Sequence, residues 1–115
     1  MTDESTFELH SAVADDGIVV LTVVGEVDMT TAPELTRAFA AVPDSSRRVI
    51  VDLGGVTFLD SSGLNALVRG RRELAAGDVE LRVVAPAAGA VRRVIEITQL
   101  EESLSPVESL EDALV

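Results

Sequence analysis

The chain has 115 residues, 47% of them hydrophobic, which is typical of one folded domain spanning residues 1–115. It contains no cysteine and one histidine, which excludes disulfides, thiolate metal sites and sites built on a histidine pair. Twenty acidic residues against nine basic ones leave a net charge of −11, and three phenylalanines are the only aromatic residues, so direct nucleic-acid binding is not expected.

The basic residues are all arginine, which removes a P-loop lysine and a Schiff-base lysine from consideration. The chain starts with acidic residues where a secretory signal would be basic. Its longest strongly apolar run, residues 18–24, is too short to span a bilayer. We therefore expect a soluble, cytoplasmic protein with no membrane partner.

Residues 7–24 predict a β-hairpin. Apolar and polar residues alternate over residues 7–13, and a turn is predicted at residues 14–17, which read Ala-Asp-Asp-Gly. Residues 18–24 are nearly all β-branched, which is typical of a strand buried on both faces. His10 lies on the first predicted strand with no acid that obviously orients it, so we expect a surface histidine and not a catalytic base.

A helix is predicted to follow the hairpin. Thr31 and Glu34 have the spacing of a capping box, in which each side chain bonds the other residue's backbone N–H. An apolar stripe with helical spacing follows at Leu35, Ala38, Phe39 and Val42.

The rest of the chain alternates between strand and helix patterns. Strands are predicted at residues 49–53 and 81–84, with a short loop over 54–59 and a helix from about 61 to 76. A third helix around residues 91–95 has Arg92 and Arg93 on its exposed side, an extended piece covers 100–104, and a last helix follows Pro106. This order predicts an α/β fold with a mixed β-sheet of four to five strands and about four α-helices packed against it.

Asp60-Ser61-Ser62-Gly63 concentrates small polar groups at the start of the second helix. The unpaired amides and the positive end of a helix dipole meet there, which suits a dianion that is bound or attached to a serine. Equally, one of Asp60, Ser61 or Ser62 could simply be the N-cap. The tetrapeptide alone leaves both interpretations open.

Three segments in order carry a family resemblance: Gly25-Glu26-Val27-Asp28, residues 49–53, and residues 58–64, which read Phe-Leu-Asp-Ser-Ser-Gly-Leu. Together they resemble the STAS domain, and specifically the freestanding bacterial anti-sigma factor antagonists. The resemblance extends over about residues 7–114. It implies a single STAS-like domain.

The resemblance also implies a non-enzymatic binding protein that is switched by phosphorylation. The phosphoacceptor of that family maps to Ser61, with Ser62 as the alternative. The implied partner is an anti-sigma factor that is also a serine kinase; the dephosphorylated antagonist binds it and frees a sigma factor. Phosphorylation breaks the complex and a serine phosphatase restores it. No cofactor and no metal is implied.

Further residues are assigned to the surroundings of the phosphosite or to the partner surface. By the resemblance, Asp28 and Asp60 lie beside the acceptor, and Asn65 stands where relatives often carry glycine or alanine. Arginines make the exposed side of the second helix basic, either as a solvated face or as a surface that pairs with acidic partner residues. The full set is Asp28, Asp60, Ser62, Gly63, Asn65, Arg71 and Arg72.

Three other functions compete with this one. An aspartyl-phosphate receiver relies on a lysine that the chain lacks. A serine hydrolase needs a base within reach of the nucleophile, and neither Ser61 nor Ser62 lies in a Gly-x-Ser-x-Gly elbow. A STAS subunit of a larger signalling assembly, or a STAS module that binds a small anion or nucleotide, remains open because a fold does not specify a ligand.

Overall fold

The computed structural model describes residues 7–15 and 17–115, which form four strands and five helices. Asp16, one of the predicted turn residues, lies outside the described residues, as does the acidic start of the chain. The strands are β1 (Glu8–Asp15), β2 (Ile18–Val27), β3 (Arg48–Leu59) and β4 (Glu80–Val84). The helices are α1 (Ala32–Ala40), α2 (Ser61–Ala76), α3 (Ala90–Ile97), α4 (Glu101–Leu104) and α5 (Leu110–Leu114).

The strands form one mixed sheet in the order β1-β2-β3-β4. β1 pairs antiparallel with β2, as the predicted hairpin requires, whereas β2, β3 and β4 are parallel to their neighbours. Helices α1 and α2 connect the parallel strands, since antiparallel neighbours can be joined by a turn and parallel ones need a crossover. The predicted fold class is confirmed.

The main core lies between one face of the sheet and helices α1 to α4. The apolar stripe predicted for α1 faces it: Leu35 and Phe39 are buried, and Ala38 and Val42 pack against them. Buried residues of the other three helices join the same core: Leu64, Ala66, Leu67, Val91, Ile95 and Leu104.

Helix α5 covers part of the opposite face. Its Ala113 is buried against Ile18, Val20, Ile50 and Val84. Because α5 has five residues, it shields only the first half of β2; further along the strand, Val24 and Glu26 are exposed. The prediction that β2 is buried on both faces therefore holds only for the first half of the strand.

Two arginines hold the end of α5 against the sheet. Arg48 Nη1 donates to the backbone oxygen of Ala113 at 3.2 Å, and Arg82 Nη1 donates to that of Val115 at 3.2 Å. The Nε of each arginine donates to the Glu80 carboxylate, at 3.0 and 2.9 Å. The carbonyls at the end of this short helix are thus paired with positive charge, which complements the helix dipole.

The loop predicted at residues 54–59 was wrong, because β3 continues to Leu59. Thr22 pairs with Asp52 and Val24 with Gly55, so β3 has one extra residue there, and a second shift follows further along. Such bulges bend a strand without ending it. The glycines that suggested a loop mark a bulge instead.

The C-terminal elements also differ from expectation. Residues 101–104 form the helix α4 and not an extended piece. The last helix begins only at Leu110, because Val107 is part of the sheet edge: its N–H donates to Val83 O and its oxygen accepts from Ala85 N, both at 2.9 Å.

The predicted exposure of the α3 arginines is correct for one of them. Arg93 is exposed, but Arg92 is half-buried, and its Nε has no hydrogen-bond partner among the described residues. Over residues 7–15 and 17–115, no helix is long and apolar enough to cross a membrane.

Candidate functional site

The site lies where two parallel strands end side by side. Val27 of β2 and Leu59 of β3 are paired in register, and the Asp60 N–H donates to Val27 O at 3.2 Å. Asp28 and Asp60 directly follow these paired residues. The two acids that the sequence singled out, 32 positions apart, are therefore brought to the same edge of the sheet.

Asp60 is the N-cap of α2. Its backbone is extended, and its carboxylate oxygen Oδ1 accepts from the N–H groups of Ser62 at 2.8 Å and Gly63 at 3.1 Å. The Leu64 N–H bonds the Asp60 carbonyl and closes the first helical turn. Of the three candidate caps, Asp60 has the role, so Ser61 and Ser62 are the first and second residues of the helix.

The two serines differ in accessibility. Ser61 is exposed, and its hydroxyl makes no hydrogen bond within the described part of the chain. Ser62 is half-buried and lines a depression between α1 and α2. Of the two serines, Ser61 is the more accessible to another protein.

The helix start is not a vacant anion site. Two of its amides already donate to the Asp60 carboxylate. An incoming anion would compete with Asp60 for these donors and would meet its negative charge. A phosphoryl group on Ser61 would therefore add to the negative charge beside Asp60, and two of the amides that could neutralise it already donate to the Asp60 carboxylate.

Asp28 orders the loop between β2 and α1. Its Oδ1 accepts from the N–H groups of Thr30 at 2.9 Å and Thr31 at 3.1 Å. The Thr31 hydroxyl accepts from Asp28 N and donates to Glu26 O, both at 2.9 Å. The predicted capping box was wrong, because this hydroxyl is tied to the end of β2 and makes no cap bond; Glu34 is exposed.

Gly63 allows the first turn of α2 to lie directly on the ends of the strands. A Cβ at this position would come within 2.5 Å of Leu59 Cδ1 and 2.8 Å of Val27 Cγ1, closer than side chains pack. Gly63 therefore has a packing role in the site, beneath the exposed Ser61.

The exposed side of α2 divides the predicted partner residues. Asn65 is exposed one turn beyond Ser61, and Arg72 is exposed on the same side about two turns further. Arg71 lies on another flank of the helix, where it lines a depression with Leu81 of β4. The structure thus brings Asn65 and Arg72 to the side of Ser61 and leaves Arg71 apart.

A depression of about 450 Å³ between α1 and α2 adjoins Ser61 and contains residues that the sequence analysis did not single out. Met29, Arg37 and Arg69 line it together with Ser62 and Asn65. The side chain of Met29 is 77% exposed. The signal in the sequence is an apolar residue in a polar loop directly after Asp28.

Over residues 7–15 and 17–115, no three His, Asp or Glu side chains are close enough together to hold a metal ion. At this edge of the sheet, the exposed Ser61 hydroxyl lies between the Asp60 cap and the partly apolar depression between α1 and α2. Fold and site together define a small α/β domain suited to recognition by another protein.

Comparison with known proteins gives the family. The STAS domain matches residues 11–113, and the chain belongs to this family. It is 35% identical over 104 residues to the anti-sigma-F factor antagonist RsfB of Mycobacterium tuberculosis. This match covers 89% of this chain and 84% of that protein. The chain is 32% identical over 90 residues to the anti-sigma-B factor antagonist of Staphylococcus aureus, covering 77% and 82%.

Solved structures of anti-sigma factor antagonists have the same fold as this chain. An anti-sigma factor antagonist from Mycobacterium paratuberculosis has a TM-score of 0.85 and 34% identity, covering 99% of this chain and 96% of that one. The anti-sigma factor antagonist SpoIIAA in its unphosphorylated form has a TM-score of 0.71 at 17% identity, which shows the shared fold alone. The resemblance found in the sequence is confirmed at the level of family and fold.

Proposed function

We propose that this protein is an anti-sigma factor antagonist that binds an anti-sigma factor and thereby frees a sigma factor. Support comes from relatives of that name, which are 32–35% identical over most of the chain. The proposal includes a non-enzymatic role and a cytoplasmic location, where sigma factors direct transcription. No cofactor is required for it.

We further propose that phosphorylation of Ser61 switches this binding off. The observation that carries this is the exposed Ser61 hydroxyl, which follows the Asp60 cap and makes no hydrogen bond within the described residues. In this scheme the anti-sigma factor is itself the serine kinase, and a serine phosphatase regenerates the binding form.

The physical basis of the switch is charge at an interface. Phosphoserine adds about −1.5 to −2 charge at neutral pH. At Ser61 that charge would stand next to the Asp60 carboxylate, on the edge that also holds Asp28. Bringing a partner onto this edge would require an added anion to be desolvated near like charges, which opposes binding.

The direct test is phosphorylation with the cognate anti-sigma kinase and ATP, followed by mass spectrometry of the intact chain and its peptides. We expect one phosphoryl group, located on Ser61. Ser61→Ala should abolish incorporation, and Ser62→Ala, the matched control, should retain it. Phosphate found only on Ser62, or on an aspartate, would overturn the assignment.

The partner itself can be identified separately. Unphosphorylated protein would be used as bait in a cell extract, with phosphorylated protein as the matched control and captured proteins identified by mass. We expect an anti-sigma factor on the unphosphorylated bait alone. Capture of a different class of protein by both forms would contradict the antagonist role.

A further inference from the structure

The depression between α1 and α2 has small apolar side chains at its base. Ala32 of α1 and Ala66 of α2 line it and are buried, and Pro33 lines it from the exposed side of α1. Because these side chains are short, a volume of about 450 Å³ stays open between the two helices. An apolar side chain of another protein therefore has room to enter it.

Met29 lines the same depression from a loop that is held in place. The backbone N–H groups of the next two residues, Thr30 and Thr31, both donate to the Asp28 carboxylate, at 2.9 and 3.1 Å. Little backbone freedom would be lost when a partner covers an exposed side chain on such a loop. Methionine is unbranched and polarisable, so it adapts to the apolar surface that it meets.

The charge around this depression is opposite to that of the whole chain. Arg37 of α1 and Arg69 of α2 line it, both exposed, and no acidic side chain is among the described residues that line it. The chain as a whole has 20 acidic and nine basic residues. The depression therefore attracts negative charge that most of the molecule repels.

Neither arginine is tied into a strong internal ion pair. Arg69 Nη2 lies 3.8 Å from the Glu73 carboxylate, and both side chains are more than half exposed, so this pair contributes little. The Arg37 guanidinium makes no ion pair within the described part of the chain. Both groups are thus available to carboxylates of a partner, which arginine binds through two parallel N–H donors.

We propose that this depression receives an acidic segment of the anti-sigma factor, with an apolar side chain beside Met29 and carboxylates on Arg37 and Arg69. Two observations favour this occupant, which rests on the antagonist role proposed above. The cations of the depression complement acidic side chains. The depression is also continuous with the edge that holds Ser61, because Ser62 lines it.

An acidic segment also accounts for the direction of the switch. A phosphoryl group on Ser61 adds about −1.5 to −2 charge directly before Ser62, next to the depression. The partner's carboxylates would then approach a like charge on their way to the two arginines, which opposes binding. Phosphorylation and docking thus act on the same contact.

Charge substitutions test the chemistry of the partner segment by calorimetric titration with the anti-sigma factor. Arg37→Gln should weaken binding, and Arg37→Glu should weaken it further, about tenfold or more below the natural chain, because reversal adds repulsion from the partner's carboxylates. The same order is expected for Arg69→Gln and Arg69→Glu. Arg93→Glu, exposed on α3, is the matched control and should bind like the natural chain. Glutamate variants that bind as tightly as the glutamine variants would overturn the acidic assignment.

The apolar contact is tested by Met29→Ala. It should weaken binding about fivefold or more, because truncation removes an anchor that the partner covers. Ile97→Ala, at a side chain of α3 that is 72% exposed, is the matched control. If the natural chain binds the anti-sigma factor and the variants at Met29, Arg37 and Arg69 bind equally well, this docking site is refuted and the antagonist role stands. If the natural chain binds no anti-sigma factor, both are refuted.

Discussion

The Asp60 carboxylate accepts a hydrogen bond from the backbone N–H of Gly63 at 3.1 Å, so the acid before the candidate phosphosite also caps α2. The cap leaves the Ser61 side chain out of the hydrogen bonding that begins the helix. Asp60 therefore stabilises the start of α2, whereas Ser61 supplies the accessible hydroxyl. Substitutions at the two residues can test these roles separately.

Replacing the cap should destabilise the domain. Asp60→Ala removes an acceptor for two amides and is expected to cost about 0.5–2 kcal/mol of unfolding free energy. For a domain of this size, the melting temperature should fall by about 4 °C for each kcal/mol of unfolding free energy lost, which thermal unfolding can measure. Asp60→Asn, which keeps an oxygen acceptor, is the control and should lose less. Equal unfolding of all three proteins would show that the cap contributes nothing measurable.

A negative charge at Ser61 should abolish partner binding without unfolding the domain. A carboxylate in the first turn is favoured by the helix dipole by about 0.3–1 kcal/mol, and repulsion from the neighbouring Asp60 carboxylate opposes this gain, so Ser61→Asp should keep its melting temperature. An unpaired charge at the interface costs about 3–5 kcal/mol, so affinity for the anti-sigma factor should fall about a hundredfold or more in calorimetric titration.

Two variants accompany this titration. Ser61→Ala should bind the anti-sigma factor constitutively and resist phosphorylation. Ser45→Asp adds the same charge at an exposed loop position after α1 and should bind normally. Wild-type affinity for Ser61→Asp would leave Ser61 without a role as a switch.

A side chain at Gly63 should destabilise the domain. Gly63→Ala places a methyl group against Leu59 and Val27, and overpacking of this kind costs about 1–3 kcal/mol. The gain in helix propensity, about 1 kcal/mol, offsets only part of that cost. The control is Gly77→Ala, since a Cβ there would make only an ordinary 3.7 Å contact with the Leu74 oxygen. This packing role would be refuted if chemical denaturation gave Gly77→Ala a lower free energy of unfolding than Gly63→Ala.

The two arginines predicted to contact the partner should behave differently. Arg72 lies on the Ser61 side of α2, whereas Arg71 faces the depression beside β4. Arg72→Glu should slow association with the anti-sigma factor and reduce its salt dependence, as peripheral charges do, and Arg71→Glu should do so less. Glu111→Arg, on α5, is a distant control with little expected effect. Association rates can be measured by stopped flow. If Glu111→Arg were the only variant that associated slowly, the interface would lie elsewhere.

Stability should depend on pH through Glu80. Hydrogen bonding to Arg82, and to Arg48, holds the pKa of Glu80 below its usual value, against the opposing effect of burial. Because the pKa of Glu80 is lower in the folded chain, its ionisation stabilises the fold at pH values above about 4.3, the pKa of glutamate in an unfolded chain. This contribution disappears as the pH falls through the lowered pKa of the folded state. The difference in unfolding free energy between the natural chain and Glu80→Gln should be largest near neutral pH and shrink in acid. A difference that grows in acid would contradict this sign.

Much of the fold was predictable because its signals are local. The spacing of Leu35, Ala38 and Phe39 indicates one buried helix face whatever the partner of that face. Errors arose where tertiary contacts override a local preference. Gly54 and Gly55 read as a loop, yet pairing with β2 extends β3 past them through bulges. Thr31 has capping-box spacing, yet its hydroxyl is bonded to Glu26 at the end of β2.

For the site, the sequence by itself determined the type of fold, the family, and the segment that holds Ser61, because strand and helix periodicity and the Asp-Ser-Ser-Gly motif are contained in the order of residues. Only the tertiary structure decided that Asp60 is the cap, that Ser61 is the accessible serine, and that Arg71 and Arg72 face different surroundings. The physical reason is that hydrogen-bond partners and exposure depend on which strands and helices meet. The pairing of Val27 with Leu59 joins residues that are far apart in the chain.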